Sequence, residues 1–177
     1  MCFDVPMPEL SLPMPPAGIV FGLDVAQDRD RAAIVACGQT QGRMCIEVVD
    51  AREGVGWVHD RLVALTRQHR AKVVIDGVTS AAGAFIATLE AEHVPVVTAK
   101  LRDYVNGCSL FYDAIEAGTL AHANELGLNE AVQVAGKRNL SDAWAWQRRV
   151  DVDLTPLVAA TLAHWGAVTV RATAPAV

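Results

Sequence analysis

Two short apolar runs in this chain end on an aspartate, and they constrain the fold more than any other feature. In the first, Ile19, Val20, Phe21 and Leu23 lead into Asp24 with the β-rich character of a strand buried on both faces. After a polar turn, residues 32–37 repeat that character, so 18–38 reads as a hairpin. An acid at the last buried position of a central strand is costly to desolvate unless a cation or several donors meet it. Taken alone, Asp24 reads equally well as a turn cap. The second run, KVVIDG at 72–77, repeats the pattern with Asp76 and tips the reading toward function.

With 52% hydrophobic and 20% charged residues, the 177 residues suit one globular domain that buries roughly 70% of its extended surface. No window approaches the roughly 18 to 20 uninterrupted apolar residues of a membrane helix, and the N-terminus lacks the basic, apolar, small-residue order of a signal peptide. A soluble, cytoplasmic protein that engages no membrane is expected. Cys2, Cys37, Cys45 and Cys108 lack C-x-x-C spacing, which favours reduced core residues over a zinc site or a disulfide framework. The formal charge of −5 argues against a surface coated in cations for duplex DNA, yet leaves room for a local basic groove. Arg29 and Arg31, Lys100 and Arg102, Lys137 and Arg138, and Arg148 and Arg149 are the candidate positive spots. Each pair by itself reads first as solvated surface.

Residues 1–17 hold Pro6, Pro8, Pro13, Pro15 and Pro16, which block helix and ladder alike and favour an extended linker or tail. A third strand over 44–49 completes an antiparallel meander with the hairpin. Val58, Leu62, Val63 and Leu65 predict an amphipathic helix over 57–68 that crosses over to the Asp76 strand. A right-handed crossover lays that strand parallel to the first, so Asp24 and Asp76 are expected side by side. Further on, 80–92 reads as a helix, 94–98 as a strand, 101–117 as a helix ending at Gly118, and 129–135 as a short helix. The aromatic residues of 101–117, Tyr104 among them, read as packing. Trp144 and Trp146, two apart after the polar turn at Asp142, suggest a strand or an extended ribbon. The last element begins near Asp153 and Pro156, a good N-cap and a tolerated first-turn proline, and runs to about Trp165. Apolar nearly all round, it should be buried.

Three antiparallel strands, a crossover helix, parallel strands and closing helices make an α/β chain with a mixed sheet, an order similar to that of ribonuclease H. In that architecture the chemistry needs acids from the first strand, the fourth strand and the last helix, because divalent metals take oxygen ligands from a rigid frame. Asp24, Asp76 and Asp153 fall at those places, with Asp142 and Asp151 in reserve. Asp153 keeps its plain reading as a helix cap. Two ions held ~3.5 to 4 Å apart activate a water and stabilise the leaving oxygen of a phosphodiester.

The runs GLDVAQDRDRAAIVACG, VVIDG, GKRNLSDAWAWQRR and VDLTPLVAATLAHW resemble the nuclease domain of phage terminase large subunits, particularly those of actinobacterial phages and prophages. The resemblance implies a ribonuclease H-like nuclease domain at 18–168, a Pro-rich linker or tail at 1–17 and a C-terminal tail at 169–177. It implies an endonuclease dependent on two Mg2+ or Mn2+ ions that cuts concatemeric double-stranded DNA during genome packaging. Asp24 and Asp76 match the first two metal-binding acids of that family, and Asp153 the third. The partners it implies are DNA, a terminase ATPase domain, the small subunit and the portal. Two departures stand out. No phosphate-binding G-x-x-x-x-G-K-[ST] run occurs, so the expectation is either a separated nuclease domain or an inactive prophage remnant. Pro156 stands where many members carry a further acid in the last helix, which keeps the third ligand open. His164 reads as a core or surface residue rather than a ligand.

Two other classes compete. An actin-like or sugar-kinase ATPase lobe shares such a sheet, and IDGVTSAAG, with Gly77 and Gly83, resembles one of its phosphate loops. Its first loop needs glycine soon after the strand acid, and Val25, Ala26 and Gln27 supply none. The chain is also about half the length that two such lobes need. The third class is a non-catalytic interaction module in which the acids only cap turns.

Overall fold

The computed structural model describes residues 18–77, 80–148 and 151–169. The Pro-rich stretch at 1–17, Cys2, Arg149 and the tail beyond Thr169 lie outside them. The expected hairpin is formed by β1 (Val20–Val25) and β2 (Arg31–Thr40), antiparallel with Val25 opposite Ala32. Its turn closes where the Ala26 N–H donates to the Arg31 carbonyl at 3.0 Å. The third strand, β3 (Arg43–Glu53), runs past the expected end at Val49. Backbone pairing with β2 needs no apolar side chain, and Asp50 anchors that polar end by accepting from both Arg52 and Arg61. A register slip at Ile34/Val35 leaves Val49 as a bulge in β3.

The crossover helix α1 (Val58–His69) leads to β4 (Lys72–Asp76), parallel to β1. One helix was expected over 80–92; instead a 3-10 turn (Ala82–Phe85) runs into α2 (Ile86–Ala91). The Ser80 hydroxyl explains the tighter start, since it donates to the Asp76 carbonyl at 2.6 Å and accepts the Gly83 N–H at 3.0 Å. The strand β5 (Val96–Ala99) pairs with β4, and α3 (Leu101–Glu116) ends before Gly118 at φ 63°. A short strand absent from the sequence reading, β6 (Leu120–His122), joins β3 in parallel; three residues are too few to show a period. Then come α4 (Leu126–Val134), a two-stranded ribbon of β7 (Lys137–Leu140) and β8 (Ala143–Trp146), and α5 (Thr155–Thr169). The six-stranded sheet has the order β5-β4-β1-β2-β3-β6, antiparallel among β1, β2 and β3 and parallel elsewhere.

Strand alternation divides the core between the two faces of this sheet. Phe21, Leu23, Val25, Ile34, Val73 and Ile75 pack under α1 and α2. Val20, Ala33, Val35 and Val74 pack under α5, which α3, α4 and the ribbon enclose. As expected from its sequence, α5 is buried over most of its length. It lies so close to the strands that a Cβ on Gly22 would come within 2.0 Å of the Ala159 carbonyl oxygen. A Cβ on Gly166 would meet Val74 at 2.5 Å and Val20 at 2.8 Å. Glycine is therefore required on both sides of the contact. Trp146 ties the ribbon to this helix by donating its indole N–H to the Thr161 hydroxyl at 2.9 Å. Cys37, Cys45 and Cys108 are buried core residues. Among the described residues, no helix is long and apolar enough to cross a membrane.

Candidate active site

The alternation that aims Val20 and Gly22 at α5 aims Asp24 the same way, and Asp76 follows Val74 onto that face. Leu23 pairs with Ile75 in the parallel register, so the next positions, Asp24 and Asp76, stand side by side at the C-terminal edge of neighbouring strands. Asp24 is only 1% exposed. Burial pushes its carboxyl up to about 6, against the opposing pull of Arg148, and the nearby Asp76 adds to the rise. Asp76 is half-buried, and its carboxyl is likewise raised by burial and held back by Arg148.

The cation that a buried acid demands comes from the far end of the chain. Arg148 donates from Nη2 to Asp24 Oδ1 at 2.5 Å, across 124 residues of sequence. Its side chain stays 37% exposed, so part of it borders solvent while the guanidinium reaches the buried acid. The approach is set one residue earlier, where the Gln147 N–H donates to the Gly136 carbonyl at 2.8 Å at the root of the ribbon. Burial works against the charge on Arg148, but the Asp24 carboxylate, with Asp76 beyond it, outweighs it and the group is held protonated. Tyr104, in the first turn of α3, and Cys108, one turn on, lie near this pair. Burial pushes the phenol well above its ordinary value and the thiol to about 11, so both are neutral.

From Asp24 a cleft of about 1180 Å³ opens outward. Its acidic members are Asp24, Asp28, Asp30, Asp151 and Asp153, and its cations are Arg31, Arg138 and Arg148. Asp153 is thus brought to the same cleft as Asp24 but lies toward the rim, near enough for its charge to raise the Asp30 carboxyl. The largest influence on Asp30 is the hydrogen bond it shares with Asp28. Asp153 also accepts the Thr155 N–H at 2.9 Å, so its capping reading and its place in the cleft coexist. The helix begins at Thr155, which sets Asp153 just outside the first turn. Of the reserves, Asp151 lines the cleft, whereas Asp142 sits exposed at the turn of the β7–β8 ribbon and does not. Among the described residues, no three acids, imidazoles or thiols converge closely enough to form a preassembled metal site. His164 is buried in α5 with its ring 5.7 Å from that of Phe111, away from the cleft lining.

Sequence reasoning had Arg148 only as a candidate positive spot, not as the partner of Asp24, and its reading of Tyr104 as packing agrees with the place of that residue in the core. Arg148 carried the only usable signal: a buried acid such as Asp24 requires a cation, and few candidates existed. Which cation answered was invisible, because charge pairing over 124 residues leaves no periodic trace.

No family model and no curated protein matches this sequence. Solved structures do match in fold. The large terminase nuclease from thermophilic phage G20c superposes with a TM-score of 0.67 at 15% identity, covering 90% of this chain and 92% of that one. The same nuclease with bound magnesium gives 0.62 at 14% identity, covering 90% and 85%, and it is also known with bound cobalt and with bound zinc. The HK97 bacteriophage large terminase gives 0.72 at 12% identity over 90% of this chain, which spans 41% of the HK97 protein. This chain therefore has the ribonuclease H-like fold of phage large terminase nuclease domains.

Proposed function

We propose that this chain is the nuclease domain of a phage or prophage DNA-packaging terminase and hydrolyses DNA phosphodiester bonds with divalent metal ions. One observation carries the reading: Asp24 and Asp76 end neighbouring strands side by side on one face, and Asp24, though not Asp76, lines the cleft that Asp153 also lines. The donor chemistry fits Mg2+ or Mn2+, since both groups are carboxylates on rigid strands and the deeper one is already matched to a positive charge. In this reading Asp24, Asp76 and Asp153 would hold the ions, with Asp151 in reserve. Bound there, such ions supply a nucleophilic water at neutral pH and stabilise the leaving oxygen. The chain's own residues do the rest. Arg31 and Arg138, on the cleft wall, offer cations to the DNA backbone. The buried phenol of Tyr104, near Asp24 and Arg148, stays neutral and adds no competing charge.

The domain's partners in this reading are double-stranded DNA and the terminase ATPase domain, with the small subunit and portal in the assembled motor. A nucleotide-binding lobe finds no support in the first loop, whose Ala26 N–H is spent on the Arg31 carbonyl and whose Arg29 N–H is spent on that of Ala26. The test is nicking of supercoiled plasmid with Mn2+. Asp24→Asn should lower the rate on the order of 100-fold or more, since even groups one shell removed from a metal are worth roughly 10- to 100-fold. Nicking that persists in Asp24→Asn, or a folded wild type inert at every metal concentration, overturns the reading.

A further inference from the structure

Arg148 sits where the proposed chemistry needs a divalent ion. We propose that its guanidinium is an intramolecular competitor for the metal: it neutralises the Asp24–Asp76 pair in the resting protein, and metal loading displaces it outward into the cleft. The proposal rests on the nuclease reading and adds to it a loading step governed by a residue of this chain.

Three observations support it. First, the pairing is specific. Arg148 Nη2 meets Asp24 Oδ1 at 2.5 Å, and among the described residues no other side-chain cation contacts Asp24, which is 1% exposed. A carboxylate this deep is expensive to keep ionised without a partner, so an occupant of the site is favoured whether or not metal is present. Second, the occupant can leave. Arg148 is 37% exposed and lies beyond the last ribbon strand, so its side chain can swing while Gln147 stays bonded to Gly136 and Trp146 to Thr161. Third, it has somewhere to go. Arg148 also lines the cleft that holds Arg31 and Arg138, so a displaced guanidinium joins the cations facing the space open to a phosphate backbone. The Asp24 carboxylate then faces either the guanidinium or metal, and loading moves Arg148 toward substrate.

The test measures metal binding rather than cleavage alone. Mn2+ affinity is read by the loss of the free-ion electron paramagnetic resonance signal for the wild type, Arg148→Gln, Arg148→Lys and Asp24→Asn. Removing the competitor should tighten binding roughly 10-fold or more in Arg148→Gln, the size expected for release of a charge-assisted hydrogen bond. Arg148→Lys, which keeps a cation on a long stem, should stay within about 3-fold of wild type. In the wild type, labelling of Arg148 by phenylglyoxal, mapped by mass spectrometry, should rise several-fold on Mn2+ saturation and stay flat in Asp24→Asn. Equal affinity in wild type and Arg148→Gln, or labelling indifferent to Mn2+, overturns the competitor role and leaves the nuclease reading intact. Binding that ignores Asp24→Asn removes the metal from this site and overturns both. If Arg148→Gln does not fold, the labelling experiment on the wild type decides alone.

Discussion

The two faces of the central sheet solve the same packing problem in opposite ways. Under α1 and α2 the strands present Phe21, Leu23, Val25 and Ile75, large side chains that hold helix and sheet apart. Under α5 the same strand presents Val20, Gly22 and Asp24, and the helix backbone rests on Gly22. The first face is bought with volume, the second with its absence. Bulk stabilises wherever it fills space, whereas a close approach stabilises only if every contact residue stays small. Close seating of α5 brings its N-terminal end, with Asp153, to the cleft that Asp24 lines.

Neighbouring substitutions on β1 break this comparison most strongly. Gly22→Ala places a methyl 2.0 Å from the Ala159 carbonyl oxygen and 2.7 Å from the Ala163 nitrogen, both backbone atoms that cannot rotate away. The expected loss exceeds about 3 kcal/mol. Leu23→Ala, one residue on and facing α1, should cost a similar 2 to 5 kcal/mol by roughly the opposite mechanism, an unfilled cavity. Urea melts give both losses. Small hydrophobic ligands should rescue only Leu23→Ala, and rescue of Gly22→Ala would refute the steric account.

The α5 face also carries a buried histidine whose titration couples to stability. Burial pushes His164 down to about 4, with no hydrogen-bond partner for its Nδ1 among the described residues, so the folded protein resists protonating it. An unfolded histidine takes its proton near 6.5. Stability is therefore full above that pH and declines as pH falls toward 4, by about 3 kcal/mol at the limit. Asp24, pushed up to about 6, works in the opposite direction below that value. The measurement that isolates His164 is the stability of His164→Leu minus that of wild type, which should grow more favourable to the variant between pH 7 and pH 4. A pH-independent difference would mean that the imidazole is already charged or reaches water.

The smallest expected effect separates the two roles of Asp153. Asp153→Ala loses the bond to the Thr155 N–H and should cost about 1 kcal/mol. Asp153→Asn keeps an acceptor and should cost a few tenths by comparison, while still lowering Mn2+-dependent nicking if the carboxylate holds metal. Unchanged nicking in a stable Asp153→Asn would reduce the residue to its cap and direct attention to Asp151.

Much of the frame was legible in the residues because local physics wrote it there. The apolar runs on either side of the Asp24 turn encode a hairpin, the spacing of Val58, Leu62 and Leu65 encodes α1, and an all-round apolar segment after Asp153 encodes a buried helix. Asp24 was legible as a buried acid in need of a cation for the same reason, since an acid ending a buried run conflicts with its surroundings. The strand β6, the polar end of β3 and the broken start of α2 were not, because each is held by backbone pairing or by a single hydroxyl rather than by a pattern of side chains.

The chain alone determined the β1–β2 hairpin, the crossover to β4, the burial of α5 and the two acids that end neighbouring strands. Only the tertiary structure decided that Arg148 answers Asp24, that Asp153 and Asp151 reach the cleft while Asp142 does not, and that α5 sits on the backbone of Gly22. The reason is range. Periodicity and capping act over a few residues and leave their mark in order, whereas charge pairing and close packing act through space between segments whose separation along the chain carries no information about them.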